Sequence, residues 1–267
     1  MNELRKPALT VLMADYNTDP THLRQAIRSL MVQTFEDFEL LLVDDGGVND
    51  LDRIAEEFSD ERIRIIGDGL NRGFVGALNY GLARVRTEYF ARMDTDDWAD
   101  REYLERLWSA VMKNPEVDVI SARAEEFSDD QPSLILGRPG EKTGRDIMRG
   151  STPIHPASIM RLEAILAVGG YPSYKRAEDL ALWCELILAG RRLCILPDVL
   201  YHYRVNRRDF EKRRLANRGG EIRARLHYYP RMGAGTREYL TVVRSIVSGV
   251  LPPRLVRILR NRIHPTA

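Results

Sequence analysis

The feature that most constrains the fold of this chain is a repeated alternation between short apolar segments and amphipathic ones. Runs typical of buried strands occupy residues 8–14, 38–43, 62–66, 89–93 and 117–121. Segments with helical spacing of apolar residues lie between them, and the first begins at Asp19-Pro20. Five alternations within about 115 residues predict an α/β protein with a doubly wound, mainly parallel sheet and right-handed crossovers.

Two of the predicted strands run directly into acidic residues. Asp44 and Asp45 follow the second strand and precede two glycines, and the stretch 94–97 follows the fourth strand. Ligands of open α/β sheets bind beyond the carboxyl ends of the strands. We therefore expect both acidic sets to lie on one rim of the sheet.

The stretch 94–97 places three carboxylates, Asp94, Asp96 and Asp97, around Thr95. Like charges this close repel one another unless a cation neutralises them. Mg²⁺ and Mn²⁺ take oxygen ligands and commonly bridge to substrate phosphates, so this stretch predicts a divalent-metal and diphosphate site. The alternative is an exposed acidic turn that caps the next helix, but Asp100 could serve that role, which would leave the three acids unexplained.

Other polar residues at the ends of predicted strands and helices are candidates for ligand binding or catalysis, and some of them have a structural alternative. Carboxylates at Asp44 and Asp45 can accept hydrogen bonds from a ribose hydroxyl or a base N–H, and the glycines that follow allow a close approach of backbone to ligand. Arg72 at the start of the third predicted helix suits either a phosphate site or a simple capped turn. Glu178 and Asp179 begin a later helix, where acids favour the helix dipole or where one acts as a general base.

His155 and His202 are candidate ligands, although a single histidine is more often structural. The two cysteines, Cys184 and Cys194, rule out a disulfide framework and favour a reducing compartment, and we expect both to be buried. The apolar run 8–14 is too short for a signal core, and no run of apolar residues is long enough to span a membrane. These features favour a cytoplasmic protein.

Charge is distributed unevenly along the chain. Residues 204–267 hold 16 Lys and Arg against 4 Asp and Glu, whereas the remainder holds 24 against 35. The segment Arg254–Ile263 is basic and amphipathic, so it suits contact with an anionic membrane surface or packing on the body of the protein. We expect no nucleic-acid partner, since no binding module is recognisable and the body is acidic.

An ordered set of motifs across residues 8–206 resembles family 2 glycosyltransferases with the GT-A fold. The stretches that carry the resemblance are Leu9–Asn17, Gln33–Leu40, Val43–Gly46, Asn71–Gly73, Asn79–Gly81, Arg92–Asp97, His155-Pro156, Gly169–Tyr171 and Ala177–Asp179. The resemblance implies a catalytic domain over 1–206, with a nucleotide-sugar half at about 8–121 and an acceptor half at about 122–206. Residues 207–267 then form a basic helical extension.

The resemblance also implies residue roles. Nucleotide-sugar contacts fall to Ala14, Tyr16, Asn17, Asp44, Asp45, Arg72, Asp94 and Thr95, with Asp45 preferred to Asp44 for the base or ribose. Asp96 would coordinate a Mn²⁺ or Mg²⁺ ion, Asp97 would support or share that role, and His202 is a weaker metal ligand. Asp179 would be the base of an inverting, single-displacement transfer.

The implied activity is metal-dependent transfer of a sugar from a nucleotide sugar to a glycan or lipid-linked acceptor. The resemblance favours a UDP-sugar as the donor, as is common in this family. The implied setting is cell-surface polysaccharide or glycolipid synthesis at the inner face of the membrane. Asp15, Ala181 and Asn206 depart from the family pattern and affect the expected donor and acceptor contacts. The alternatives are a nucleotidyltransferase, which needs a glycine-rich basic loop where Asp15–Thr18 stands, and a non-catalytic sugar-nucleotide-binding domain, which Asp96 and Asp179 together argue against.

Overall fold

A computed structural model describes residues 7–128, 131–205 and 218–250. Within these ranges ten strands form one sheet: β1 (Leu9–Asp15), β2 (Phe38–Asp44), β3 (Ile63–Ile66), β4 (Tyr89–Arg92), β5 (Trp98–Ala99), β6 (Val119–Ser128), β7 (Gln131–Leu136), β8 (Gly140–Lys142), β9 (Ser158–Arg161) and β10 (Leu193–Arg204). The α-helices in the same ranges are α1 (Pro20–Met31), α2 (Leu51–Glu56), α3 (Gly73–Leu82), α4 (Tyr103–Lys113), α5 (Gly144–Met148), α6 (Leu162–Ala167), α7 (Glu178–Leu188), α8 (Gly219–Arg231) and α9 (Thr236–Val250).

The main strand order is β3-β2-β1-β4-β9-β6-β10-β5. Strands β1 to β4 are parallel to one another, with β1 central and in register with β2 from Leu9↔Phe38 to Asp15↔Asp44. This confirms the α/β architecture with a mainly parallel sheet. It also brings the carboxyl ends of β1, β2 and β4 to one rim.

The second half of the sheet is less regular than the predicted alternation of parallel strands and helices. The fifth predicted strand, β6, does not lie beside β4, because the short strand β9 inserts antiparallel between them. Strand β6 also continues to Ser128, beyond the predicted strand at 117–121. It continues because β10 pairs with it on one side and β7 on the other beyond Ser121, which satisfies the backbone of this stretch.

Side chains alternate between the two faces of the buried strands, and each face holds its own core. Val11 and Leu40 pack with α1, α2 and α4 on one face, whereas Leu12 and Leu41 pack with α3, α6 and α7 on the other. Helix α3 approaches the sheet closely at Gly81, where an added Cβ would come within 2.8 Å of the Val43 side chain. The near-continuous apolar strands are typical of a sheet covered on both faces.

Helices α8 and α9 follow the sheet. Ala224 and Tyr228 of α8 are buried in the same core as Trp183 of α7, so the described part of residues 207–267 contributes to the packed body. None of the helices described here is long and apolar enough to span a bilayer. Asn206 and the basic segment 254–263 lie outside the described residues.

The cysteines are free. Cys184 is buried as expected, but Cys194 is only half-buried. The expectation was wrong for Cys194 because it lies opposite Glu141 of the three-residue strand β8, which covers it incompletely.

Candidate active site

The acidic turn after β4 brings three carboxylates together at the rim. Asp94, Asp96 and Asp97 each offer an oxygen, and these oxygens lie within 4.8 Å of one another. Asp94 and Asp96 are half-buried, whereas Asp97 is 1% exposed. This donor set is hard, anionic and compact, so it fits a divalent cation such as Mn²⁺ or Mg²⁺.

Asp97 is the inner member of this group. Its Oδ2 accepts a hydrogen bond of 2.9 Å from the Tyr201 hydroxyl, and its Oδ1 accepts one of 2.7 Å from the Arg204 amide. Burial and the charges of Asp94 and Asp96 raise the pKa of Asp97 well above its usual value, although these two hydrogen bonds oppose the rise. Both oxygens of Asp97 are therefore engaged by β10, which suits a supporting role beside a cation.

Strand β10 holds the whole acidic turn in place. The Asp94 amide donates to the Tyr201 hydroxyl at 3.1 Å, and Arg204 Nε donates to the Asp96 carbonyl at 2.9 Å. Arg204 also donates to Gln25 of α1, at 2.7 Å. The sequence analysis did not identify Tyr201 and Arg204, because their partners lie about a hundred residues earlier in the chain.

Arg92, the last residue of β4, was also missed. It is 2% exposed, it pairs with Asp94 Oδ1, and its guanidinium lies 5.2 Å from the centre of the Phe74 ring. Its Nε is buried and has no hydrogen-bond partner among the described residues. Burial opposes the charged form, but the adjacent Asp94 carboxylate outweighs it and raises the pKa of Arg92. The site thus contains a permanent buried cation beneath its acidic turn.

The turn after β2 lies against the residues that precede α3. Asp45 is 3% exposed and its Oδ1 accepts a hydrogen bond of 2.6 Å from the Arg72 amide. Asp44 Oδ1 accepts from the amides of Gly46 and Gly47, at 2.9 and 3.3 Å. Gly46 has φ +71°, and an added Cβ would lie 2.9 Å from the Asn71 nitrogen. Only glycine fits this close approach without strain.

The end of β1 joins these two turns. The hydroxyls of Thr18 and Thr95 share a hydrogen bond of 2.6 Å, and Asn17, at φ +60°, accepts one of 2.7 Å from the Val48 amide. Tyr16 is 55% exposed on the rim. The structure therefore brings the predicted nucleotide-sugar residues of β1, β2 and β4 to one place, with Ala14 half-buried among them.

Arg72, a predicted nucleotide-sugar contact, and Asp15, which follows the family pattern poorly, both have partners within the protein. The Arg72 guanidinium pairs with Asp68 and lies 4.2 Å from the centre of the Tyr80 ring, and its hydrogen bond lowers the pKa of Asp68 to about 2. Asp15, which departs from the family pattern, is 1% exposed and accepts a hydrogen bond of 3.0 Å from Asn49 Nδ2. Asp15 thus stabilises the loop after β1 rather than presenting a carboxylate to solvent.

Asp179 lies in the first turn of α7, where its Oδ1 accepts a hydrogen bond of 2.7 Å from the Leu180 amide. Burial raises the pKa of Asp179, whereas that amide and the charge of Arg92 oppose the rise. Burial, together with the charge of Asp179, also raises the pKa of Glu178. A carboxylate with a raised pKa is a better proton acceptor near neutral pH than an ordinary aspartate.

The two histidines lie in different settings. His202 donates to or accepts from Glu125 Oε2 at 3.1 Å and Asp100 Oδ1 at 3.0 Å, and its ring stacks on Trp98 at 3.5 Å. His202 is outside the group formed by Asp94, Asp96 and Asp97, and its role as a metal ligand stays a prediction. The side chain of Asp100 does not cap the next helix, although the sequence allowed that role, because its carboxylate binds His202 and α4 begins after Glu102 without a side-chain cap.

His155 is buried and its Nε2 lies 3.0 Å from the Tyr171 hydroxyl. Burial, assisted by the charge of Arg92, lowers the pKa of His155 well below its usual value. The imidazole is therefore neutral, and its hydrogen bond to Tyr171 gives it a structural role.

Comparisons with known proteins found a matching family, curated relatives and solved structures with a similar fold. Residues 10–162, more than half of the chain, match the model of the family described as glycosyl transferase family 2. The chain is 31% identical over 210 residues to the amylovoran biosynthesis glycosyltransferase AmsE of Erwinia amylovora, covering 77% of this chain and 79% of that one. It is 29% identical over 237 residues to the UDP-Gal:alpha-D-GlcNAc-diphosphoundecaprenol beta-1,3-galactosyltransferase of Escherichia coli, with 84% of each chain covered.

The fold has solved counterparts. The mannosyltransferase PcManGT from Pyrobaculum calidifontis, in complex with GDP-Man and Mn²⁺, superposes with a TM-score of 0.65. The alignment covers 99% of this chain and 77% of that one, at 17% sequence identity. At that identity the likeness establishes the shared architecture alone.

Proposed function

This chain belongs to glycosyltransferase family 2 and has its GT-A fold, and we propose that it transfers a sugar from a UDP-sugar to an acceptor hydroxyl with inversion. The observation that carries this proposal is the position of Arg92. It pairs with Asp94 of the acidic turn, and its charge also acts on the carboxyl of Asp179. Arg92 therefore links the two parts of the proposed site, because it contacts a donor-side acid and its charge lowers the pKa of the candidate base.

The proposed cofactor is Mn²⁺ or Mg²⁺. Asp96 would hold the ion, with Asp94 beside it and Asp97 in support, since Asp97 is already bound by Tyr201 and Arg204. A bound cation would stabilise the negative charge that develops on the leaving diphosphate. The structure of the mannosyltransferase PcManGT in complex with GDP-Man and Mn²⁺ supports this choice of cofactor class.

The proposed proton acceptor is Asp179. Burial raises the pKa of this carboxyl, which makes the carboxylate more basic than that of an ordinary aspartate, whereas the Leu180 amide and the charge of Arg92 oppose the rise. It would take the proton of the attacking hydroxyl as the bond to the diphosphate breaks, which is a single displacement and inverts the anomeric centre. Residues at the carboxyl ends of β1 and β2, above all Tyr16 and Asp45, which directly follow these strands, would hold the nucleotide.

The donor nucleotide and the acceptor class come from the relatives. The Escherichia coli relative is named for UDP-Gal and a diphosphoundecaprenol acceptor, and the Erwinia relative for a polysaccharide, so we propose a glycan or lipid-linked acceptor here. The identification as a glycosyltransferase sets aside both the nucleotidyltransferase and the non-catalytic alternatives.

We further propose that the enzyme works peripherally at the inner face of the cell membrane. Leu240, Val243 and Ile246 are exposed at three-residue spacing on α9, and the basic segment 254–263 follows this helix in the sequence. Vesicle flotation with anionic and zwitterionic lipids tests this, with a variant that lacks residues 250–267. We expect wild-type protein to float with anionic vesicles only, and equal binding by the truncated variant would refute the role of the tail.

A nucleotide-release assay tests the central proposal. Purified protein is incubated with UDP-, dTDP- and GDP-sugars, with Mn²⁺ or with chelator, alongside Asp96→Ala and Asp179→Asn. We expect release from a UDP-sugar that requires the metal and is lost in both variants, whereas Asp52→Asn, on the exposed face of α2, retains it. Metal-independent release, or full activity of Asp179→Asn, would contradict the proposed mechanism.

A further inference from the structure

Helix α8 follows the region that matches the family model, yet it reaches the turn that carries the candidate base. We propose that α8 is a working part of the catalytic site and that Gly220 is a positioning residue for Asp179. This inference rests on the proposed role of Asp179 and adds a residue that acts through the backbone of another segment.

The first step is a backbone contact between Gly220 and the turn before α7. A Cβ added at Gly220 would lie 3.0 Å from the Lys175 carbonyl carbon and closer still to its oxygen. Real Cβ atoms do not approach backbone this closely, so any side chain here must displace one of the two segments. The neighbouring Gly219 has no atom within 4 Å of an added Cβ, so it provides a matched control.

The second step is the path from Lys175 to Asp179. Arg176 has φ +61°, and the Ala177 amide donates a hydrogen bond of 2.9 Å to the Tyr174 carbonyl. Ala177 is 1% exposed, and α7 begins at the next residue. Because this turn is tight and its end is buried, a shift of the Lys175 carbonyl passes into the first turn of α7, which contains Asp179.

The third step is that α8 is the fixed partner in this contact. Ala224 and Tyr228 are buried against α7, and Tyr229 is buried against Met148 of α5, with its hydroxyl donating to the Met148 carbonyl at 2.8 Å. If a side chain at Gly220 clashes with Lys175, the exposed turn around Lys175 therefore moves, and the helix stays in place.

Helix α8 also acts on Asp179 through charge. Glu221, held by Arg225 at 2.8 Å, raises the pKa of Asp179. The other charged or titratable groups that interact with Asp179 are Glu178 and Cys184 on its own helix, Arg92 from β4, and Tyr171 from the preceding loop. Glu221 thus gives a second probe of the same proximity, one that leaves side-chain volume almost unchanged.

The experiment compares Gly220→Ala with Gly219→Ala in the full-length chain. The readout is release of nucleotide to water from the donor found active with wild type, with kcat and donor KM measured separately and Mn²⁺ affinity measured by titration. Since a misplacement of about 1 Å can cost on the order of 100-fold, we expect Gly220→Ala to lower kcat about 10- to 100-fold. Donor KM and Mn²⁺ affinity should stay within about twofold of wild type, because the donor loops and acidic turn are untouched.

Gly219→Ala should match wild type in kcat, and equal kcat in the two alanine variants would overturn the inference while leaving the proposed function intact. A general loss of structure would instead move donor KM, Mn²⁺ affinity and Tm together. If Gly220→Ala does not fold, Glu221→Gln is the test of the inference. Because Glu221 raises the pKa of Asp179, the acid limb of the kcat–pH profile of this variant should move to lower pH. An acid limb at the wild-type pH would overturn the inference. No release by wild type with any donor would overturn the proposed function and this inference together.

Discussion

Replacing Arg92 with methionine should destabilise the protein through the charge that it leaves behind. Methionine retains an apolar contact with Phe74 but removes the buried guanidinium that pairs with Asp94. The Asp94 carboxylate then lies beside Asp96 and Asp97 without the guanidinium that pairs with it. Because Arg92 holds the acidic turn together without contacting solvent, its loss should be visible in the absence of any substrate.

The magnitude follows from the exposure of the two partners. Breaking a fully buried pair by removing one partner costs about 3–5 kcal/mol. The Arg92 side chain is 3% exposed but that of Asp94 is 25% exposed, so water relieves part of the cost and we expect roughly 2–3 kcal/mol. At roughly 2–4 °C per kcal/mol for a chain of this class, Tm should fall by roughly 4–12 °C.

The assay is urea unfolding of Arg92→Met, Asp94→Asn and the double variant, all without metal. Since the two side chains interact directly, the double variant should be less destabilised than the sum of the single variants by at least about 1 kcal/mol. Arg106→Met is the matched control, because Arg106 pairs with Asp198 at side-chain exposures of 52% and 28% and should contribute no more than about 1 kcal/mol. Additive single variants, or a loss at Arg92 no larger than at Arg106, would refute the reasoning.

Three further predictions concern the same site. Tyr201→Phe removes a donor from buried Asp97 and should cost about 1–3 kcal/mol in urea unfolding, whereas wild-type stability would contradict the assigned hydrogen bond. Burial raises the pKa of Asp179 above 3.8, so the folded state favours the protonated carboxyl and its ionisation lowers stability as pH rises through the folded pKa. Asp179→Asn should therefore raise Tm at pH 7 while abolishing nucleotide release, and this gain should vanish below about pH 3.8; a lower Tm at pH 7 would be inconsistent with it. Gly46→Ala, at φ +71° beside the Asn71 nitrogen, should cost more than about 1 kcal/mol and raise donor KM, and an unchanged KM in the release assay would separate this turn from donor binding.

The first half of the fold was predictable because its information is local. Each of the first four strands is a short apolar run followed by a segment with helical spacing, and the structure confirms the elements to within a few residues at their ends. Strand neighbours in the second half depend on distant pairing instead. The four residues of β9 carry no local signal for insertion between β4 and β6, and β6 extends to Ser128 only because β7 and β10 cover it.

The site shows the same division between local and distant information. The spacing of Asp94, Asp96 and Asp97 predicts a cation site, and the structure brings their oxygens together. Arg92 was also detectable, since an arginine that ends a run of buried strand residues must find a buried anion. Tyr201 and Arg204 were not detectable this way, because nothing near them in the chain indicates that they hold an acidic turn.

The hydrogen bonds from Tyr201 and Arg204 to Asp97 have a consequence for folding during synthesis of the chain. These two hydrogen bonds come from residues 104 and 107 positions later in the chain. At roughly 5–20 residues per second, a ribosome needs roughly 5–20 s to synthesise that interval, and during that time the carboxylate of Asp97 lacks both of these partners. The nascent sheet of β1 to β4 can form early, but its rim acquires its working shape only when β10 has emerged and folded back across it.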